Sequence, residues 1–161
     1  MPQLDLQPAR ELARLLADKF EDKFLGLRED REEITYWVES SVWAEAAAYL
    51  KFETNFNVLE DLNAVDYPER NPRFDLAIVC LSMKDHSWIR LKTLLAEDQP
   101  VATLERVWPG AQWYEREMWD LFGIPFEGNS DLRRLVLPAD YQGHPLRKDY
   151  PVTGPPQSAY R

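Results

Sequence analysis

Apolar positions recur every three to four residues between 7 and 23, where Leu12, Leu15, Leu16 and Phe20 share a face and Pro8 suits a first turn. That spacing predicts a helix. Two short apolar runs, 24–27 and 34–38, flank a charged turn at 28–32 and read as strands. A second helix is expected over 42–51, with alanines 46–48 as strong helix formers and Ser40 or Ser41 as its cap. Three strands follow: 56–67, ended by Pro68 and the PERNP loop; 74–83, the most apolar; and 87–95, where Trp88, Ile89, Leu91 and Leu94 mix with Arg90 and Lys92. The Lys84-Asp85 turn makes the last two a β-hairpin.

Helix, two strands, helix, three strands is an order without regular βα alternation. It favours an α+β fold, a two-layer domain with helices on one face of a mixed sheet. Two short helices are expected next, over 101–107 and 111–122, broken by Trp108-Pro109-Gly110. Beyond Gly123, prolines 125, 138, 145, 151, 155 and 156 exclude any long helix. The regular structure expected there is one helical turn at 131–135, capped by Asn129 or Ser130. The chain therefore divides into an α+β domain, residues 1–122, and an extended proline-rich strap, residues 123–161, whose GPPQSAYR tail reads as a loose end.

The helix at 111–122 breaks its own pattern. With Trp113 set at zero, Leu121, Tyr114, Met118, Phe122 and Trp119 fill an arc from roughly 80° to 240°. Glu115 falls inside that apolar arc, at about 200°, while Trp113 sits among Arg116, Glu117 and Asp120. Such a helix is expected to be covered on both sides, by the chain's own core on one and by a partner on the other. A buried carboxylate must be paired, and the nearest donors along the chain are Arg133 and Arg134, so a Glu115 pair with one of them is expected. Arg116 is expected to pair with Asp120 along the helix surface. On that basis Glu115→Ala should cost more than Asp120→Ala. The strap's many apolar residues (Ile124, Phe126, Leu135, Val136, Leu137, Leu146, Val152) predict that it lies on a partner and is mobile without one.

Charge and composition narrow the chemistry. At 161 residues with 45% hydrophobic and 12% aromatic content, one folded domain is the default. A net charge of −9 disfavours nucleic acid and anionic membranes as partners. The single cysteine, Cys80, lies in the apolar run AIVCL and reads as a buried hydrophobe; it excludes an internal disulfide and a cysteine-held iron–sulfur cluster. The polar, acidic start and the lack of any apolar run near ~20 residues predict a soluble chain, or one bound to a membrane only through partners. His86 in a turn and His144 before a proline read as surface and structural residues, and two isolated histidines make no metal site. Glu115 and Glu117 point about 200° apart on a helix and cannot share one reacting atom. No glycine-rich phosphate loop follows a strand. Catalytic, cofactor-binding and metal-binding residues are accordingly expected to be absent. Arg133, Arg134, Arg147 and Lys148, clustered in an acidic chain, are instead suited to bidentate pairing with carboxylates, here or on a partner.

One stretch carries a resemblance. Glu115-Arg116-Glu117, then Asp120-Leu121-Phe122-Gly123-Ile124, Asp131-Leu132-Arg133-Arg134 and Gly143-His144-Pro145-Leu146-Arg147-Lys148-Asp149-Tyr150-Pro151 resemble, in order and spacing, the signature of the 30 kDa (C) subunit of respiratory NADH–quinone oxidoreductase, complex I. The match spans about forty residues. The family pattern has His or Lys where this chain has Asn129, so a titratable group is missing while the capping role is kept. The resemblance implies a structural subunit without a redox centre of its own, in the peripheral arm near the quinone module. It would pack on the large 49 kDa-type subunit, which is related to the large subunit of nickel–iron hydrogenases, and lie close to the subunit carrying the last iron–sulfur cluster. The holoenzyme would use NADH, FMN, iron–sulfur clusters and quinone, at the cytoplasmic face of the inner membrane. A homologous subunit of a membrane-bound hydrogenase or formate hydrogenlyase complex is the alternative. A stand-alone acid/base enzyme using Glu115, Glu117 or His144 is the remaining class.

Overall fold

The computed structural model describes residues 7–31 and 33–154; the tail at 155–161, expected to be a loose end, lies outside the described residues. Helix α1 (Gln7–Phe20) runs through a 3-10 turn into strand β1 (Phe24–Asp30) and β2 (Glu33–Val38). Helix α2 (Trp43–Glu53) is followed by β3 (Val58–Asp66), β4 (Phe74–Ser82) and β5 (Ser87–Leu95). The five strands form one sheet in the order β1-β2-β5-β4-β3, with β2 and β5 parallel and the other neighbours antiparallel. This is the expected mixed α+β sheet. The hairpin β4–β5 pairs from Phe74 with Leu95 to Ser82 with Ser87.

Alternation sorts the sheet's two faces. Ile34, Tyr36 and Val38 of β2, Leu76, Ile78 and Cys80 of β4, and Ile89, Leu91 and Leu95 of β5 are buried in one cluster with Leu12, Leu16 and Phe20 of α1 and Trp43, Ala46 and Leu50 of α2. The intervening Trp37, Trp88, Arg90 and Lys92 are half buried, with Arg90 over the Trp88 ring and Lys92 over Trp37. Cys80 is buried, as its run implied, and burial pushes its thiol up to about 12.

Three expectations change. Neither Ser40 nor Ser41 caps α2; both lie in a 3-10 turn, Ser40–Val42, and Val42 precedes the helix without a side-chain cap. The expected helix over 101–107 is instead strand β6 (Val101–Ala102) and a turn. The strap supplies the reason: β7 (Phe126–Glu127) pairs with β6 in parallel, and the amides of Val101 and Thr103 donate to Pro125 and Glu127 carbonyls at 3.0 and 2.9 Å. Residues 131–135 form no helix either, because neighbouring side chains take their backbone groups. Helix α3 (Ala111–Phe122) has the expected bounds.

Candidate interaction site: helix α3 and the strap it holds

Helix α3 begins after Trp108-Pro109-Gly110 and stops at Gly123, whose φ of +77° is the left-handed cap favoured by glycine. A Cβ at Gly123 would lie 2.7 Å from the His144 ring and 2.9 Å from Arg147. The strap's return therefore needs glycine there for space as well as conformation.

Glu115 is fully buried, as its place on the apolar arc required. Its partners differ from expectation. Oε1 accepts from the Leu104 amide (2.5 Å), and Oε2 accepts from the Thr103 hydroxyl (2.6 Å) and the Asn129 side-chain amide (2.7 Å). Neither Arg133 nor Arg134 reaches it, since both lie with the strap on the Arg116–Asp120 side of the helix. Three neutral donors hold the carboxylate instead and join the turn after β6, α3 and the start of the strap. Asn129 turns its other end to accept the Asp131 amide at 2.9 Å.

Arg116 is also buried and does not pair with Asp120. It donates to the carbonyls of Arg133 (3.2 Å) and Arg134 (3.0 Å), lies 3.4 Å from Asp131 and stacks on Trp113. One turn on, Oδ2 of the fully buried Asp120 accepts three successive amides, Leu135, Val136 and Leu137, at 3.0, 2.8 and 2.9 Å. Its Oδ1 takes Arg134 at 2.7 Å. Arg134 then reaches the carbonyls of Tyr141 (2.7 Å) and Gly143 (3.2 Å) and stacks against Trp119 and Tyr141. Much of the second side of α3 is thus covered by the chain's own strap, while Trp113 on that side stays 54% exposed.

The helix end explains the next motif. The last carbonyls of a helix lack internal partners, and here each finds one. Gly123 N–H serves Trp119, His144 Nδ1–H serves Asp120 (3.0 Å), Leu146 N–H serves Leu121 (3.0 Å) and Arg147 Nε–H serves Phe122 (2.6 Å). Arg147 also meets Glu97 at 2.9 Å. Lys148 and Asp149 continue to the sheet. The Lys148 amide donates to Asp66 (2.7 Å), and Asp149 lies 3.0 Å from Arg73, which forms a bidentate buried pair with Asp66. The Tyr150 hydroxyl meets that of Tyr141 at 2.7 Å, and Gly143, at φ +88°, makes room for the Tyr150 ring. Glu117 has no hydrogen-bond or ion-pair partner among the described residues, Arg133 pairs only locally with Asp131, and Pro145 is half buried.

Asp66, Arg73, Glu97 and Thr103 belong to this assembly, yet nothing in their local pattern marks them. Asp66 and Arg73 flank an ordinary polar loop, and their link to the strap spans 82 residues. Among the described residues no group of His, Cys, Asp and Glu could hold a metal ion, and no helix is long and apolar enough to cross a membrane.

Burial pushes the Glu115 carboxyl above its ordinary value, against the pull of its three donors. Asp66 is held below its ordinary value by Arg73 first; Asp120, despite burial, is held low by the strap amides and Arg134. The signs are opposite. A raised folded value gives stability that is present at low pH and lost as pH rises through it; the lowered aspartates lose theirs as pH falls through their folded values. Glu115→Gln is therefore expected to remove the component of stability that declines above pH 4.5. Urea unfolding at a series of pH values from 4.5 to 8 checks this, and an unchanged slope in the variant would rule it out.

Residues 36–156 match the family model described as respiratory-chain NADH dehydrogenase, 30 Kd subunit. The (C) subunit of NADH-quinone oxidoreductase from Cereibacter sphaeroides is 40% identical over 90% of this chain and 74% of its own length. Its counterpart from Geotalea uraniireducens is 38% identical over 91% of this chain and 90% of its own length. A mitochondrial 30.4 kDa NADH-ubiquinone oxidoreductase subunit of Candida maltosa is 44% identical over 77% of this chain, which spans only 46% of that protein. Among solved structures, a trypsin-resistant Nqo5 fragment superposes with a TM-score of 0.65 at 27% identity, covering 75% of this chain and 98% of the fragment. A chain of an archaeal respiratory membrane complex, the membrane-bound sulfane sulfur reductase, shares the fold, with a TM-score of 0.77 at 23% identity over 91% of this chain and 87% of its own.

Proposed function

The chain belongs to the 30 kDa subunit family of respiratory-chain NADH dehydrogenases, and we propose that it is a non-catalytic assembly subunit of a proton-pumping NADH–quinone oxidoreductase. Its place would be the peripheral arm, against the 49 kDa-type subunit and near the quinone module. The observation that carries this reading is how the signature residues are used. Arg116, Asp120, Arg134, His144 and Arg147 fix a proline-rich strap to α3, so these signature side chains are engaged within the chain. The strap then turns Leu135, Val136 and Leu146 outward, 39%, 58% and 46% exposed, and Trp113 of α3 is 54% exposed. Apolar side chains held out on a tethered loop suit burial by another protein.

FMN, iron–sulfur clusters, NADH and quinone would belong to other subunits, and the complex would bring this chain to the membrane's cytoplasmic face. A second reading, a related membrane-bound hydrogenase-type complex with another electron donor, is consistent with the fold this chain shares with a chain of an archaeal respiratory membrane complex. Purification of the tagged chain from solubilised membranes separates the two. The first reading expects NADH:quinone reductase activity with a flavin-bearing partner in the same fraction, and none in the chain alone. Stoichiometric iron or flavin in the isolated chain would sink the assembly role.

A further inference from the structure

Two signature-region residues leave most of their binding capacity unused: Trp113 stacks with Arg116 on one face, and Glu117 holds nothing among the described residues. Trp113 stands 54% exposed on α3, and Glu117 follows one turn later on the same ridge, since residues four apart are neighbours on a helix surface. Glu117 is half buried and without a hydrogen-bond or ion-pair partner among the described residues. The arginines of this region are taken: Arg116 by strap carbonyls, Arg134 by Asp120, and Arg133 by Asp131. The same helix that matches its other charges so closely leaves one carboxylate open beside an exposed indole.

Building on the assembly role above, we propose that Trp113 and Glu117 form one docking element for a segment of a partner subunit that presents a lysine or arginine beside an apolar recess. The indole fills the recess, and tryptophan is among the residues most often found to anchor interfaces. The carboxylate takes the cation, an interaction that strengthens once the contact excludes water. Charge argues against the other occupants. A second copy of this chain carries the same net −9, and an anionic lipid surface would meet an unpaired carboxylate.

The test uses the assembled complex. Tagged chains carrying Trp113→Ala, Glu117→Gln or Glu117→Lys are expressed in cells lacking the native subunit, and the partners are counted after purification at moderate salt. Trp113→Ala and Glu117→Lys are each expected to lower recovery of one partner roughly tenfold or more, and Glu117→Gln by a smaller factor. The isolated Glu117 variants, which lose no intrachain partner among the described residues, should unfold at the wild-type denaturant midpoint, and Trp113→Ala, which gives up its stacking on Arg116, slightly below it, which separates lost docking from lost folding. A photoreactive phenylalanine analogue in place of Trp113 should capture a partner peptide with Lys or Arg within a few residues of the link. If the wild-type chain recovers no partner, the assembly role fails. If it recovers partners and the variants recover as many, or if the captured peptide is a second copy of this chain or lacks a cation, the docking element is overturned.

Discussion

Replacing Asp120 by alanine is expected to destabilise the isolated chain by on the order of 3–5 kcal/mol, the cost of leaving a buried charge without its partner. The loss has two parts. Arg134, whose side chain is 15% exposed, loses its counter-charge, and the amides of Leu135, Val136 and Leu137 lose a shared acceptor. Asp120→Asn should fall between wild type and alanine, because a carboxamide oxygen can serve the amides or the guanidinium but not all four donors. Urea unfolding gives the stability, and hydrogen exchange at 135–137 gives the local effect. Retained protection of those three amides in Asp120→Ala would show that the carboxylate does not hold the strap. The ranking drawn from helix periodicity, with Glu115→Ala the costlier change, is thereby reversed. Glu115 has neutral donors, so its removal strands no cation.

That reversal marks the boundary of what the sequence carries. Strand β5 is legible from its alternation alone, Ser87 to Leu95, because one face is buried and the pattern has period two. The bounds of α3 follow from Pro109-Gly110 before it and Gly123 after it. The burial of Glu115 is legible from its angular position. Its partners are not, because Thr103 and Asn129 are brought in by the pairing of two two-residue strands, β6 and β7, too short to leave any periodic trace. The same holds for residues 131–135. Their composition allows a helical turn, but Arg116 takes two of their carbonyls and Asp120 takes the next amides, and these contacts override local preference. Periodicity reports which side of an element is buried; it does not report which segment buries it. The signature in 112–151 is visible as an anomaly of charge among apolar residues, and its cause, a helix dressed by its own strap, lies in contacts between segments.

Arg73→Met is expected to produce the second large loss, again on the order of 3–5 kcal/mol, and to distinguish folding from strap attachment. Arg73 is 9% exposed at its side chain and Asp66 fully buried, joined by bonds of 2.7 and 2.9 Å; Arg73 also meets Glu97 and Asp149. Removing the guanidinium leaves the buried Asp66 carboxylate with the Lys148 amide, at 2.7 Å, as its remaining hydrogen-bond donor among the described residues. A buried pair replaced as a unit by apolar side chains of similar volume is often neutral, so Asp66→Leu combined with Arg73→Met should recover much of the stability. It should not recover the strap. With no acceptor at 66 and no cation at 73, the Lys148 amide and the Asp149 carboxylate both lose their anchors on the sheet. Amides at 147–150 are expected to exchange much faster in the double variant than in wild type, while the β3–β4 amides stay protected. Wild-type exchange at 147–150 in the double variant would mean that the Asp66–Arg73 pair serves the sheet alone, and that the strap is held at α3 without a second attachment.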